Sequence, residues 1–328
     1  MTTAIIAIHG GAGALSRETI TPQQQAAYET ALNDILVQSG ALLDKGGSAL
    51  DAVTLAVRLL EDCPLFNAGH GSVFTSAATH EMDAAIMDGA TLGCGSVASV
   101  STVRNPVLAA RAVMETSEHV FFCGKPAEAL AAAAGLDMVD PDYFSTALRR
   151  EQLERVRATG AASFVLDHDA VANAQPAHSV APLDEDRKLG TVGAVALDQA
   201  GNLAAATSTG GMTNKQPGRV GDSPIIGAGC YASNHSCAVS STGTGEMFIR
   251  SVAAYDVAAQ MQYAGRTLAQ ATDNVVFDKL PAIGGVGGLI AVDAQGNVAL
   301  PFNSEGMYRG YLRVGQDPVV SIYRESDA

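Results

Sequence analysis

Threonine is a weak nucleophile unless a base stands beside it, and this chain places one threonine where its own backbone could supply that base. Positions 159–190 are rich in Ala, Pro, His and Ser, then carry Asp184, Glu185, Asp186, Arg187 and Lys188, with neither helical nor strand period. Structureless stretches of this length are uncommon inside compact domains and tend to be functional or disordered. Thr191 directly follows Gly190 and opens an apolar run that reads as a buried strand. A cut before Thr191 would free an α-amine with a pKa near ~8, able to act as general base for the hydroxyl of the same residue. Gly190, lacking a Cβ, would let the chain take the strained geometry in which that hydroxyl attacks the Gly190 carbonyl.

Three further groups of residues could serve such a nucleophile. If Leu197 pairs with Leu203 across the loop Asp198 to Asn202, Thr191 faces Thr209 and two hydroxyls meet at one end of a sheet. A five-residue loop leaves the register open by a residue or two, and an ordinary Thr-Thr cross-strand pair is the plainer alternative. In SSTGTGE, Thr242 and Gly243 sit between a strand and a helix and could form an oxyanion hole, where loss of one donor typically slows reaction about 100- to 1000-fold. A glycine-rich helix start with Thr244 as its cap is equally open. PGRVGDSP fixes Arg219 and Asp222 in one loop, complementary to a zwitterion through its carboxylate and ammonium; alone, an exposed ion pair is the plainer reading. HGGAGA, from His9, does not complete G-x-G-x-x-G, and the seven histidines lack zinc-ligand or serine-triad spacing.

The elements that must hold these residues alternate. Ala4–Ile8 reads as a strand, and Thr21-Pro22 opens a helix with Tyr28, Leu32, Ile35, Leu36 and Leu43 on its apolar face. Ser48 and Asp51 resemble a capping box for a second helix running to Pro64, followed by a glycine-punctuated loop from Phe66 to Phe74. Ser96–Val103 reads as strand. Helices are expected after Asn105-Pro106, from Lys125-Pro126 to Gly135, and from about Tyr143 to Arg157. Val192–Met212 and Val286–Met307 form a weak repeat, each two apolar runs around Asp-x-x-Gly-Asn, predicting two β-hairpins. Helices are expected between them over Gly245–Tyr263 and Leu268–Lys279, the latter opened by a Thr267–Gln270 capping box. Strands apolar at nearly every position need cover on both faces, so two antiparallel sheets packed together with helices outside are predicted.

Composition narrows the partners. The 328 residues are 47% hydrophobic, enough for one large core or two ordinary ones, and a net charge of −14 opposes attraction to nucleic acid or anionic membranes. Small molecules or peptides are favoured. The five cysteines (Cys63, Cys94, Cys123, Cys230, Cys237) form no CxxC pair, and the start MTTAIIAIHGGAGA has neither a basic leader nor a membrane-length apolar run, so a reducing, cytoplasmic setting is expected.

Taken together, HGGAGA, FNAGHGSVFT, DAAIMDG, GTVGAVALD, TSTGGM, PGRVGDSP, GAGCYA, STGTGE and GGVGGLIAVD resemble the plant-type asparaginase or isoaspartyl peptidase family of N-terminal-nucleophile hydrolases, in order from His9 to about Tyr308. The resemblance implies one αββα sandwich over 1–328, cut into a 1–190 α subunit ending in the 159–190 linker and a 191–328 β subunit. Two such protomers would pair as a homodimer. It implies Thr191 as nucleophile, Thr209 as the assisting hydroxyl, Arg219 and Asp222 as the substrate clamp, and Thr242 and Gly243 as the oxyanion hole. Gly245 would add a main-chain contact to substrate, and Asn67 would help hold the nucleophile. No catalytic cofactor is implied, but a structural sodium on main-chain oxygens of Leu60, Glu61, Cys63, Phe66, Ala68 and His70 is. The implied activity is hydrolysis of β-aspartyl dipeptides and of the asparagine side-chain amide. A glycosylasparaginase-like amidase is the alternative within the superfamily. From a different class, a non-processing nucleotide-binding or scaffold protein remains.

Overall fold

A computed structural model describes residues 3–13, 20–158 and 190–324. The expected connector therefore lies, except for Gly190, outside the described residues. Eight strands form one sheet: β1 (Ile5–Gly13), β2 (Met82–Asp88), β3 (Cys94–Val100), β4 (Phe121–Cys123), β5 (Thr191–Leu197), β6 (Leu203–Thr209), β11 (Gly306–Arg313) and β12 (Val319–Tyr323). Their order is β12-β11-β1-β5-β6-β2-β3-β4, antiparallel throughout except for β3 with β4. The second sheet, β10-β9-β8-β7, is built from β7 (Cys230–Ala232), β8 (Cys237–Gly243), β9 (Gly287–Asp293) and β10 (Val298–Ala299).

Alternation along the strands explains the layering, because successive side chains point to opposite faces. Ile6 and Ile8 of β1 with Val192 and Ala194 of β5 join a core against helices α1 (Pro22–Asp44), α2 (Ala49–Asp62), α3 (Pro106–Thr116) and α4 (Gly124–Ala133). Their neighbours Ile5, Ala7, Val195 and Leu197 face Ile290 and Val292 of the second sheet. Val239 and Leu289, on that sheet's far side, pack on α6 (Gly245–Ser251), α7 (Ala253–Ala264) and α8 (Leu268–Asp273). The result is the expected four-layer αββα sandwich.

Both predicted hairpins form, with matching turns. Asp198 Oδ1 accepts from Ala200 N and Asn202 N, and Asp293 Oδ1 accepts from Gln295 N and Asn297 N, so each Asp organises its own loop. The first hairpin lies in the large sheet and the second in the small one. Ser48 and Thr267 cap α2 and α8 as expected.

Several boundaries differ from the sequence reading. The strand expected at Ala4–Ile8 runs on to Gly13, because a bulge between His9 and Gly11, the latter at φ 111°, keeps the chain paired with β11. The helix expected over Gly245–Tyr263 breaks at Val252, which sits at φ 50° and ψ 48°. Its first N–H groups turn to tertiary partners there: Ala254 N donates to Ala228 O and Tyr255 N to Gly227 O. The strand expected at Ser96–Val103 spans Cys94–Val100 instead. The helix expected from Tyr143 divides into a 3-10 turn, Pro141–Phe144, and α5 (Ala147–Ala158).

Candidate active site

The register of β5 against β6 is the one that pairs Leu197 with Leu203, so Thr191 faces Thr209. Both are buried. The Thr191 hydroxyl donates to Thr209 Oγ1 over 3.2 Å; Thr209 Oγ1 also accepts from Gly211 N at 2.9 Å and donates to the Gly190 carbonyl at 3.5 Å. One hydroxyl thus uses its single proton and both lone pairs. Its proton points at the carbonyl that the Thr191 hydroxyl would have to attack. A plain cross-strand threonine pair would not reach the preceding carbonyl.

Asn67 does not touch the Thr191 hydroxyl; it fastens the turn beside Thr209. Its Nδ2 donates to Gly211 O at 2.7 Å, its Oδ1 accepts from Val73 N, and its main-chain carbonyl accepts from Gly210 N. Gly190 passes so close to it that a Cβ on Gly190 would lie 2.9 Å from Asn67 Cβ. Glycine is required at this approach, for a steric reason the sequence does not display.

A small cleft brings together Thr191, Thr209, Arg219, Asp222 and Gly243, with Gly190 on its wall. Asp222 and Arg219 do not form the exposed ion pair that was the plainer reading. Asp222 is 3% exposed and its Oδ2 has no hydrogen-bond partner. Burial pushes its carboxyl up to about 7, against the pull of the nearby Arg219 guanidinium. Arg219 instead donates through Nε and Nη2 to Glu246, both bonds 2.9 Å. A Cβ on Gly245 would lie 2.8 Å from Asp222 Oδ1 and 3.1 Å from Arg219 Nη2, so its backbone abuts the clamp. Glu246 was missed by sequence reasoning although STGTGE ends on it; the pairing becomes visible only when α6 lies beside the clamp loop.

Thr242 and Gly243 end β8, and Thr242 Oγ1 accepts from Ala12 N at 3.2 Å. Thr244 does stand at the N-cap position of a helix that starts at Gly245, but its hydroxyl caps no helix N–H and donates instead to Val286 O. The nucleotide-loop reading of HGGAGA fails: its first five residues continue β1, paired with β11 as far as Gly13, rather than turning into a helix. His9 is buried, its Nε2 2.9 Å from Ser240 Oγ, which lies 2.6 Å from Thr207 Oγ1. Burial drives this imidazole down to about 3, so it is neutral and ties the two sheets together beneath the site.

Sequence reasoning also passed over Asp83 and Lys215. Asp83 sits opposite Thr209 in the β2–β6 register, buried, with Oδ1 accepting from Ser99 N. Burial raises its carboxyl and lowers the buried Lys215 ammonium, while each charge opposes the other's shift. Lys215 Nζ donates to Glu81 O, and Gly218 N to Glu81 Oε2, which pins the loop carrying Arg219 and Asp222 to β2's approach.

The loop implied to hold sodium leaves the C-terminus of α2. Gly69 and Gly71 curl it so tightly that a Cβ on Gly69 would lie 2.5 Å from Glu61 O, and one on Gly71 2.7 Å from Pro64 O and 2.8 Å from Phe66 O. Glu61 O and Cys63 O also accept from His70 N and Phe66 N. The His70 ring packs 5.1 Å from Tyr143.

A family profile described as Asparaginase matches residues 2–322. The chain belongs to the asparaginase family. It is 61% identical over 325 residues to the isoaspartyl peptidase of Escherichia coli (strain K12), covering 99% of this chain and 98% of that protein. The isoaspartyl peptidase of Salmonella typhimurium is 60% identical over 325 residues, with 99% and 100% covered. The human isoaspartyl peptidase/L-asparaginase is 38% identical over 320 residues, covering 96% of each. Family membership makes the chain a hydrolase. Among the described residues no helix is long and apolar enough to cross a membrane, and all five cysteines are free thiols.

Proposed function

We propose that the protein is an isoaspartyl peptidase and L-asparaginase that first cuts its own chain at Gly190-Thr191. The observation that carries this reading is the contact chain from Thr191 Oγ1 to Thr209 Oγ1 to the Gly190 carbonyl. Attack by Thr191 Oγ1 on that carbonyl forms an ester while the Gly190-Thr191 amide bond breaks and the hydroxyl proton passes to the departing nitrogen. Water then hydrolyses the ester, leaving a Gly190 carboxylate and a free Thr191 amine. That amine is the base for the second reaction.

In turnover, Arg219 takes the α-carboxylate and Asp222 the α-ammonium of an aspartyl head group. The partnerless Oδ2 of Asp222 supports this, since it leaves a buried acceptor free to take an ammonium. Thr191 Oγ1 attacks the side-chain amide carbonyl, Thr242 and Gly243 steady the oxyanion, the amine leaves protonated, and water releases L-aspartate. Asparagine and β-aspartyl dipeptides share this head group. No cofactor enters the chemistry. A sodium ion on the carbonyls of Leu60, Glu61, Cys63, Phe66, Ala68 and His70 would brace the loop that carries Asn67. The cut protomers, 1–190 with 191–328, are proposed to pair as a dimer in the cytoplasm.

The test is denaturing electrophoresis with N-terminal sequencing of the purified protein. Two fragments are expected, the smaller beginning Thr-Val-Gly, and Thr191→Ala should neither split nor turn over substrate. A chain that stays intact yet hydrolyses β-aspartyl dipeptides would overturn the N-terminal-amine mechanism.

A further inference from the structure

Gly190 lines two cavities and is the one residue they share. On one side lies the cleft with Arg219 and Asp222. On the other is a small pocket walled by Tyr28, Leu65, Phe66, Tyr308 and the glycines of β1, with Arg149 in its lining. Ligand pockets typically pair apolar walls with a few fixed polar groups.

Arg149 is unusual within that pocket. It projects from α5 and is only 6% exposed. Its Nε donates to Gly71 O at 2.7 Å and its Nη1 to Gln152 Oε1 at 3.0 Å, both neutral acceptors. No carboxylate among the described residues neutralises it. Burial lowers its pKa, opposed only by Tyr28 and Tyr308. Buried charges are ordinarily paired, so an unneutralised guanidinium lining a cavity is a site for an anion. The other walls are aromatic and aliphatic: Tyr28 stacks on Tyr308 at 4.2 Å, and Phe66 meets Tyr28 edge-on at 5.7 Å.

We propose that this second cavity binds the leaving amino acid of a β-aspartyl dipeptide, with Arg149 holding its α-carboxylate and the aromatic walls its apolar side chain. The inference rests on the proposed function. A cut at Gly190-Thr191 frees the residue that separates the cavities, giving a two-lobed site with the nucleophile at the waist. A β-aspartyl dipeptide has the same shape: a zwitterionic head, the amide to be cut, then a second residue ending in a carboxylate. Asparagine fills only the first lobe.

The test compares β-aspartyl-leucine with β-aspartyl-leucinamide on the matured protein, with L-asparagine as a head-group-only substrate. The wild type should favour the acid over the amide in kcat/KM by roughly 10- to 100-fold, the range expected when one charge-assisted contact is lost. In Arg149→Met that preference should fall to within about twofold, and Arg149→Lys, keeping the charge but not the fork, should lie between. Equal use of acid and amide by the wild type overturns the assignment, as does a preference that persists in Arg149→Met. A chain that stays uncut and cleaves neither dipeptide nor asparagine overturns the proposed function too. One that hydrolyses asparagine without distinguishing acid from amide overturns only the second lobe.

Discussion

Thr191 and Thr209 meet hydroxyl to hydroxyl at 3.2 Å, and Thr209 relays that contact to the carbonyl of the residue before the nucleophile. The relay makes Thr209 part of the chain-cutting step. Thr209→Val keeps the strand and its packing but removes both the proton acceptor and the donor to Gly190 O. Cleavage should slow by at least ~100-fold, within the range for loss of a positioned proton-transfer group. The measurement is the half-time for appearance of the 191–328 fragment on denaturing gels. A rate within a few-fold of wild type would reduce the contact to an ordinary threonine ladder.

Gly190 runs against Asn67, and the steric demand is specific. With a Cβ placed 2.9 Å from Asn67 Cβ, Gly190→Ala must displace either the scissile carbonyl or the loop that fastens Gly210 and Gly211. Overpacking of this kind typically destabilises by about 1–3 kcal/mol. Here the displaced group is the electrophile, so maturation should slow at least ~10-fold while the melting temperature falls by only a few degrees. Cleavage at the wild-type rate would show that the chain has room there.

How much of this was legible in the sequence follows from distance along the chain. The Thr191–Thr209 pairing was readable because the Asp198 turn lies between the two threonines and fixes its own geometry through Asp198 Oδ1. The helix start at Thr21-Pro22 and the capping box at Thr267 are local in the same way. Arg219, Asp222, Thr242 and Gly243 were raised by their own motifs with plainer alternatives open, resemblance alone favoured the site roles, and three of them line the cleft. Glu246 on Arg219, Asn67 on Gly211 and Asp83 opposite Thr209 were not legible, since each joins segments 27 or more residues apart. Val252 was illegible for a different reason. Its left-handed backbone is disfavoured for a β-branched residue, and only the partner carbonyls of Gly227 and Ala228 account for it.

Glu246 holds the Nε edge of Arg219, so the guanidinium is oriented before any substrate arrives. Glu246→Gln leaves a neutral group of the same shape that can accept only one of the two bonds. Arg219 would lose its fixed fork, and KM for asparagine should rise about 10-fold, the effect of one charge-assisted hydrogen bond, while kcat changes less than about threefold. Steady-state kinetics on the matured variant decides the matter. A fall in kcat at unchanged KM would place Glu246 in the chemical step instead.

Asp222 sets a stability against an affinity. Its carboxyl titrates near 3.8 when exposed and at about 7 in the folded chain, with burial the largest cause. Between those values the unfolded chain is ionised while the folded one keeps its proton, so the folded state binds more protons and stability falls as pH rises through that window. Above pH ~7 the penalty is complete, a few kcal/mol at about 1.4 kcal/mol per unit. Asp222→Asn, placed in the uncut Thr191→Ala chain to separate stability from maturation, should therefore raise the melting temperature at pH 8 by roughly 2–5 °C and change it little at pH 4. In the Thr191-intact protein the same substitution should weaken asparagine use about 100-fold, because the ammonium loses its counter-charge. Thermal melts showing no gain at pH 8 would mean that Asp222 sits ionised and satisfied in the empty cleft, and would remove the reason for its carboxylate to attract an ammonium.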